Sequence, residues 1–324
     1  MAAIQLVDRI PGKVYAWLRE VGLPGMHRRA VRDKVFDAAN VTLLVLFSCS
    51  ILYPFVYIFS VSVSDPLAIS RGDVSFLPVG FQLDAYRNII SRSLGRAYMN
   101  TVYYSLVATA LTLLFSVLGA YPLSRPRFRG KAFFTLVFTF TMFFSGGLIP
   151  NFFLIRGLGL LDSVLAIALP GAFGFWNIII LRTNFQQIPE SLTESATIDG
   201  ASDWMVLRRI VLPLSKPILA TVALWSVIGM WNNYFGPLIY LQSPEREPLT
   251  IFLRRVLVSR FVEDLTSVSR TLASRGSEAA LMKEGLMRAM RMATILVTIG
   301  PIVLVYPFIQ KYFVKGTLIG SIKG

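Results

Sequence analysis

The sequence ESLTESATIDGASDWMVLRRIVLP, residues 190–213, separates two stretches that contain no Asp, Glu, Lys, Arg or His, residues 163–181 and 217–244. This segment, called the elbow below, is polar and has helix-breaking residues at Asp199-Gly200. Hydrocarbon would reject such a segment, because each polar backbone group there needs an internal partner. We therefore expect the elbow to lie in water between two membrane spans.

Six uncharged stretches occur along the 324-residue chain, approximately at 40–64, 98–124, 132–155, 163–181, 217–244 and 292–310. Each is near or above the roughly 20 residues that a helix needs to cross a bilayer. They are continuously apolar and do not alternate, which favours helices over a closed barrel. The sequence predicts an all-α integral membrane protein with six transmembrane helices.

Several function classes lack the residues that they need. The only histidine, His27, lies in the N-terminal tail and the only cysteine, Cys49, in the first span, so no metal site and no Ser-His-Asp triad is expected. No Asp, Glu, His, Lys or Arg lies in any span, which disfavours a proton-coupled transporter. A phosphate-binding Gly-x-x-x-x-Gly-Lys motif is absent. An intramembrane transferase would need grouped carboxylates, and Asp65, Asp73 and Asp84 are scattered.

The net charge of +14 is distributed as in a membrane protein and does not indicate nucleic-acid binding. Lys and Arg are retained on the cytoplasmic side. Seven precede the first span, and four lie at 125–131. This places both termini and the elbow in the cytoplasm, with 18 basic residues inside and 14 outside. Nine of the outside residues lie in the segment 242–291, which weakens the assignment.

The chain divides into a cytoplasmic tail, residues 1–36, and a six-helix membrane domain, residues 37–324. In the tail, apolar residues recur at helical spacing at Leu6, Ile10, Val14 and Leu18. An amphipathic surface helix and a poorly ordered tail both fit this pattern. The longest external loop is 242–291, and its last part, 277–291, is predicted to be a helix that continues into the sixth span.

The elbow is predicted to be two short helices joined by a turn. Ser191 and Glu194 have the spacing of a capping box, in which each side chain bonds the other's backbone amide. Asp199-Gly200 ends the first helix, since glycine tolerates the left-handed backbone that closes a helix. Ser202 or Asp203 then caps a second helix, which Pro213 ends.

The elbow resembles the EAA loop of ABC importer permeases, through Glu194, Ala196, Asp199-Gly200-Ala201, Ile210 and Leu212-Pro213. Other blocks are similar to carbohydrate-uptake permeases: Asn100-Thr101, 120–124, 141–150, 176–180, 231–235, 305–308 and 312–316. These resemble the subgroup that imports oligosaccharides and polysaccharide fragments, including alginate and pectin-derived uronates. Ser195 and Leu207 depart from the family pattern without losing helix compatibility.

The resemblance implies a type I importer fold with a cytoplasmic coupling helix. Its partners would be a second permease, expected to form a heterodimer although a homodimer stays open, two ATPase subunits that hold ATP and Mg, and a solute-binding protein that contacts the external loop. The chain itself would be no enzyme and would bind no cofactor. The residues expected to couple to the ATPase are Glu194, Ala196, Ile198, Asp199, Gly200, Ala201, Trp204, Leu207, Ile210, Leu212 and Pro213.

A sugar pathway needs amides and aromatic rings within the spans. The candidates are Asn232 and Asn233 with Trp231 and Tyr234, Asn177 with Trp176, and Ser145 and Asn151. Asparagine also joins helices to each other, and aromatic residues form interfacial belts, so a structural role stays open. Alternative functions are a permease-like scaffold or sensor in the bacterial inner membrane, or a permease for another small polar solute.

Overall fold

The computed structural model describes residues 24–90, 92–258 and 278–321, with the backbone alone at 24–35, 92, 302 and 304–321. All regular structure in these residues is helical. The predicted surface helix of the N-terminal tail falls largely on residues 1–23, outside the described part. So does the section 259–277 of the predicted external loop.

The helices are, in chain order, α1 (Pro24–Ser62), α2 (Pro66–Arg71), α3 (Asp84–Ile89), α4 (Arg92–Ser124), α5 (Lys131–Phe143), α6 (Leu148–Gly157), α7 (Val164–Ala172), α8 (Phe175–Gln186), α9 (Glu190–Ile198), α10 (Asp203–Val206), α11 (Leu212–Leu214), α12 (Lys216–Trp231), α13 (Phe235–Tyr240) and α14 (Glu278–Ser321). A π-helical segment, Leu207–Val211, joins α10 to α11. A 3₁₀ turn, Pro244–Arg246, follows α13, and residues 249–258 are helical.

Two described helical stretches are each long and apolar enough to cross a bilayer alone, Phe36–Ser62 and Ser93–Ser124. The number reaches five if each strongly bent pair of described helices is one span. The sixth predicted span, 292–310, lies in α14, which begins at Glu278 as the predicted helical lead-in requires. Side chains of α14 are described only to residue 301 and at 303.

Three spans that were predicted to be continuous are broken. The stretch 132–155 divides into α5 and α6, with a bend of 113° between them. Gly147, just before α6, has a positive φ of 83°. The stretch 163–181 bends by 51° between α7 and α8. The stretch 217–244 ends its first helix at Trp231. Absence of charge marks a segment that lipid accepts, but it does not show where glycine or asparagine interrupts the helix.

Helix α4 lies at the centre of the molecule and packs against α7, α8 and α12. Its approach to α8 depends on Gly119, where a Cβ atom would lie 2.8 Å from Cδ1 of Ile178. The largest buried cluster joins α4 and α8 to the elbow and to α12; it contains Ala120, Tyr121, Leu123, Phe175, Ile178, Leu181, Phe185, Val206, Leu207, Val211 and Val222.

A second cluster fastens the end of α1 and helices α2 and α3 to α14. Ser70 donates a 2.5 Å hydrogen bond to the carbonyl oxygen of Leu281. A Cβ atom at Gly285 would overlap the carbonyl oxygen of Pro66. Before this junction, the most apolar part of Phe36–Ser62 buries none of its residues inside the chain. The first span is therefore attached to the rest of the chain mainly at its end.

Candidate functional site

The first helix of the elbow, α9, begins at Glu190, two residues earlier than predicted. Pro189 is its N-cap and makes no side-chain capping bond. The predicted capping box is wrong, because the helix already begins at Glu190 and Ser191 lies within its first turn. The carbonyl of Ser191 accepts a 2.9 Å bond from the Ser195 hydroxyl instead. The side chain of Glu194 is left exposed.

The predicted end of α9 is confirmed. Gly200 has φ of 84°. Its N–H bonds the carbonyl of Thr197 at 3.0 Å, and the N–H of Ala201 bonds the carbonyl of Ala196 at 2.9 Å. These two bonds form a Schellman motif, which requires a left-handed residue at the position of Gly200. The turn consequently has one defined shape.

The second arm of the elbow runs from Asp203 to Leu214 through a π-helical segment. Ser202 caps it by accepting from the N–H of Met205 at 3.4 Å, as predicted. The prediction that Pro213 ends this arm is wrong, since the helix continues to Leu214 and the 80° bend into α12 comes at Ser215. A π segment relaxes the regular hydrogen-bond ladder, which accommodates a proline that cannot donate.

The inner face of the elbow is bound into the protein. Val206, Leu207 and Val211 are buried in the cluster formed with α4 and α8. The prediction that Leu207 couples to the ATPase by direct contact is therefore wrong, because its side chain is only 2% exposed. Ile210, Leu212, Ala196 and Ala201 are half-buried against the same cluster.

A polar contact reinforces this attachment. The hydroxyl of Tyr121 donates to the carbonyl oxygen of Asp203 at 3.0 Å. The guanidinium of Arg125 donates to the Tyr121 hydroxyl oxygen at 3.0 Å and lies 4.5 Å above the ring. Sequence reasoning did not assign Tyr121 or Arg125 to the site. Helix α4 and the elbow are thus joined at a buried aromatic residue.

The outer face of the elbow exposes apolar side chains. Ile198 is 86% exposed and Trp204 is 60% exposed. Leu192 and Met205, which sequence reasoning did not select, are also exposed. Glu194, Asp199, Gly200 and Pro213 lie exposed on the same segment. Exposed apolar side chains of this size, on a segment that is predicted to lie in water, are typical of a protein-binding surface.

A central cleft of about 470 Å³ lies among α4, α7, α8, α12 and α13. Among the described residues, its lining is uncharged and consists of Ala108, Thr112, Ala166, Ile167, Ala168, Pro170, Gly171, Asn177, Trp225, Ser226, Gly229, Met230, Asn233, Gly236 and Tyr240. Ser226 donates to the hydroxyl of Thr112 at 3.3 Å. The side chain of Asn233 accepts from the N–H of Gly236 at 3.1 Å. Amides, hydroxyls and two aromatic rings give the cleft the chemistry of a site for an uncharged polar ligand.

Two of the predicted pathway residues, Asn177 and Asn233, line this cleft. The other six do not. Trp231 packs near Tyr98, with ring centroids 6.5 Å apart, and Tyr234 lies beneath the guanidinium of Arg254. Asn232, Trp176, Ser145 and Asn151 are exposed outside the cleft. The cleft residues Trp225, Ser226, Thr112 and Tyr240 were missed, because nothing in an apolar helix marks which hydroxyls and rings point inward.

On the side of the molecule that is predicted to be external, Asp162 joins two loops. Its carboxylate accepts from the N–H groups of Gln242 and Ser243 at 3.0 and 3.1 Å, and from the Ser243 hydroxyl at 2.5 Å. Partial burial disfavours the charged form, but these hydrogen bonds and Arg246 lower the pKa of Asp162 below its usual 3.8. The charged form therefore stabilises this junction.

Comparison with known proteins matches residues 112–318 to the family described as binding-protein-dependent transport system inner membrane component. Protein LplC of Bacillus subtilis (strain 168) is 38% identical over 296 residues, covering 90% of this chain and 96% of that protein. The polygalacturonan/rhamnogalacturonan transport system permease protein YtcP of the same strain is 36% identical, covering 91% and 100%. A crystal structure of a bacterial ABC transporter involved in the import of the acidic polysaccharide alginate contains a chain 37% identical to this one, with a TM-score of 0.76, covering 87% and 97%. The chain therefore belongs to the family of binding-protein-dependent transport system inner membrane components.

Proposed function

We propose that the chain is a permease subunit of an ABC importer that moves an oligosaccharide or polysaccharide fragment across the bacterial inner membrane. One observation carries the coupling part of this proposal. The elbow exposes Ile198 and Trp204 on one face, while its other face is bonded to α4 and buried with α8. Two ATPase subunits that grip the exposed face would move these helices together with the elbow.

The substrate class follows from the relatives and from the cleft. YtcP is named for polygalacturonan and rhamnogalacturonan transport, and the structural neighbour takes part in alginate import. The uncharged cleft suits the rings and hydroxyls of a saccharide, with Asn177, Asn233 and Trp225 as contacts. Carboxylates of an acidic substrate would be recognised elsewhere, and a slight excess of basic external residues would attract them. A second permease would supply the other half of the pathway, and a solute-binding protein would deliver the sugar.

Orientation is tested by placing a cysteine at Ser202 in a variant that lacks Cys49. Within intact cells, the elbow should resist a membrane-impermeant maleimide and react only after the membrane is opened. A cysteine at Asp73, in the segment proposed to be external, is the positive control. Labelling of Ser202→Cys in intact cells would place the elbow outside and end the coupling proposal.

Coupling is tested with two glycines of the same backbone conformation. Gly200 has φ of 84° and Gly72 has φ of 81°, and open space surrounds the Cβ position at both. Valine is strained by about 1–2 kcal/mol in this conformation. In the complex assembled with ATPases, binding protein and a uronate oligosaccharide, Gly200→Val should lower substrate-stimulated ATP hydrolysis, while Gly72→Val should leave it near the native level. Equal effects of the two variants would contradict a coupling role for the elbow turn.

A further inference from the structure

A second cavity, an open groove of about 570 Å³, lies between α5 and α8 and is separate from the central cleft. It is lined by Lys131, Ala132, Thr135, Leu136, Thr139 and Arg182. Lys131 is the last residue of the basic cluster 125–131, which is predicted to face the cytoplasm. The cavity therefore combines a basic mouth with a wall that belongs to a membrane helix, and neither the elbow nor the sugar cleft includes it.

The wall of this cavity follows one side of α5 in steps of four residues. A rise of 1.5 Å per residue places Thr139 about 12 Å along the helix from Lys131. The Thr135 hydroxyl donates to the carbonyl oxygen of Lys131, and that of Thr139 donates to the carbonyl oxygen of Thr135, both at 2.7 Å. Because these donors are satisfied within the helix, the wall below the basic mouth interacts with a ligand mainly through apolar groups.

The two basic side chains lack an anion. Lys131 and Arg182 are half-buried, and among the described residues no carboxylate lies within 4.0 Å of either. Nε of Arg182 is shielded from solvent and has no hydrogen-bond partner in the described part of the chain. A partly buried guanidinium without a partner is costly, and guanidinium groups bind phosphate through paired N–H donors.

We propose that this groove binds one anionic phospholipid of the cytoplasmic leaflet. Its phosphate lies between Lys131 and Arg182, and one acyl chain lies along Thr135, Leu136 and Thr139. Basic pockets between membrane helices on the cytoplasmic side are suited to such headgroups. The proposal depends on the orientation proposed above, which the labelling of Ser202→Cys tests separately, and it does not depend on the transported substrate.

The test is native mass spectrometry of the purified full-length chain, titrated in detergent with phosphatidylglycerol, phosphatidylcholine or inorganic phosphate. The native chain should retain one phosphatidylglycerol in preference to phosphatidylcholine. The double variant Lys131→Gln/Arg182→Gln should bind it roughly 25-fold more weakly, at about fivefold for each basic group near a membrane surface. Arg127→Gln/Arg129→Gln removes the same charge from the neighbouring loop and should keep the bound lipid.

A variant that keeps both basic side chains distinguishes lipid binding in the groove from general electrostatic attraction of the lipid. Thr139→Trp occupies the space proposed for the acyl chain and keeps both basic groups, so it should also release the lipid. Thermal unfolding of each variant, which should remain cooperative and near the native midpoint, verifies that the fold is intact. Equal lipid loss in the two charge variants would overturn the proposal, as would inorganic phosphate displacing the lipid at millimolar concentration. Retention of lipid by Lys131→Gln/Arg182→Gln would also overturn the proposal, and it would favour an acidic protein partner for the groove.

Discussion

The hydroxyl of Tyr121, near the end of α4, donates a 3.0 Å hydrogen bond to the carbonyl oxygen of Asp203, the first residue of α10. This bond joins the central membrane helix to the segment that we propose the ATPases move. Arg125 donates to the same hydroxyl, so the tyrosine oxygen both accepts and donates. In the proposed mechanism, a displacement of the elbow would thereby be passed to a helix that lines the central cleft.

Tyr121→Phe should weaken this connection and destabilise the chain by about 1 kcal/mol, the usual net value of one hydrogen bond. It should also lower the ratio of sugar transported to ATP hydrolysed. Tyr103→Phe is the matched control, since Tyr103 lies exposed on the same helix. Thermal unfolding in detergent and transport in proteoliposomes measure the two effects. Indistinguishable behaviour of the two variants would remove Tyr121 from the coupling route.

Trp204 and Leu207 are three residues apart, yet alanine at each should affect a different property. Leu207→Ala should lower stability, and Trp204→Ala should lower ATPase binding. Leu207→Ala removes a buried side chain and should destabilise the isolated chain by about 2–5 kcal/mol. Trp204→Ala removes an exposed side chain and should leave the unfolding midpoint nearly unchanged while reducing the amount of ATPase that co-purifies with the chain. Loss of ATPase binding in Leu207→Ala at a temperature where it is folded, with normal binding in Trp204→Ala, would reverse the assignment of inner and outer faces.

Two glycines of α14 should respond differently to one added methyl group. A Cβ atom at Gly285 overlaps the carbonyl oxygen of Pro66, whereas nothing lies within 4 Å of the Cβ position at Gly300. Gly285→Ala should force α14 away from α2 and lower stability by roughly 1–3 kcal/mol, as overpacking commonly does. Gly300→Ala should be neutral or stabilising, because alanine favours a helix. The unfolding midpoints of the two variants in the same detergent make the comparison.

Acid should weaken the loop junction at Asp162. Its folded pKa is lowered, so its contribution is fully present above the unfolded value near 3.8 and is lost as the pH falls through the folded pKa. Asp162→Asn should therefore be less stable than the native chain at pH 6, and the difference should shrink below about pH 4. Asp84→Asn removes an exposed carboxylate and is the control. A difference that stays constant from pH 6 to pH 3 would contradict this linkage.

The sequence was sufficient for features that depend on local backbone chemistry. The turn at Gly200 and the cap at Ser202 were both predictable, since glycine and serine have strong local preferences there. Ser191 was misplaced because Pro189 begins the helix earlier. The family and its class of transport were predictable from the spacing of the elbow residues, which the match over residues 112–318 confirms.

The tertiary arrangement of the side chains was harder to predict from the sequence. Trp204 and Leu207 are both apolar, and their spacing alone does not tell which one the chain buries for itself. Asn177, in α8, and Asn233, between α12 and α13, line the same cleft, whereas Trp231 packs near Tyr98. These outcomes depend on where the uncharged stretches break, and charge patterns contain no information about the breaks.

The first span contacts the rest of the chain mainly at its end, and this determines how mutations within it should be interpreted. Leu44, Phe47 and Leu52 are more than half exposed on this span, so shortening them removes little packing within the chain. An inactive variant at one of these positions would therefore report on the bilayer or on a neighbouring subunit, and its cause should be sought in assembly and not in folding.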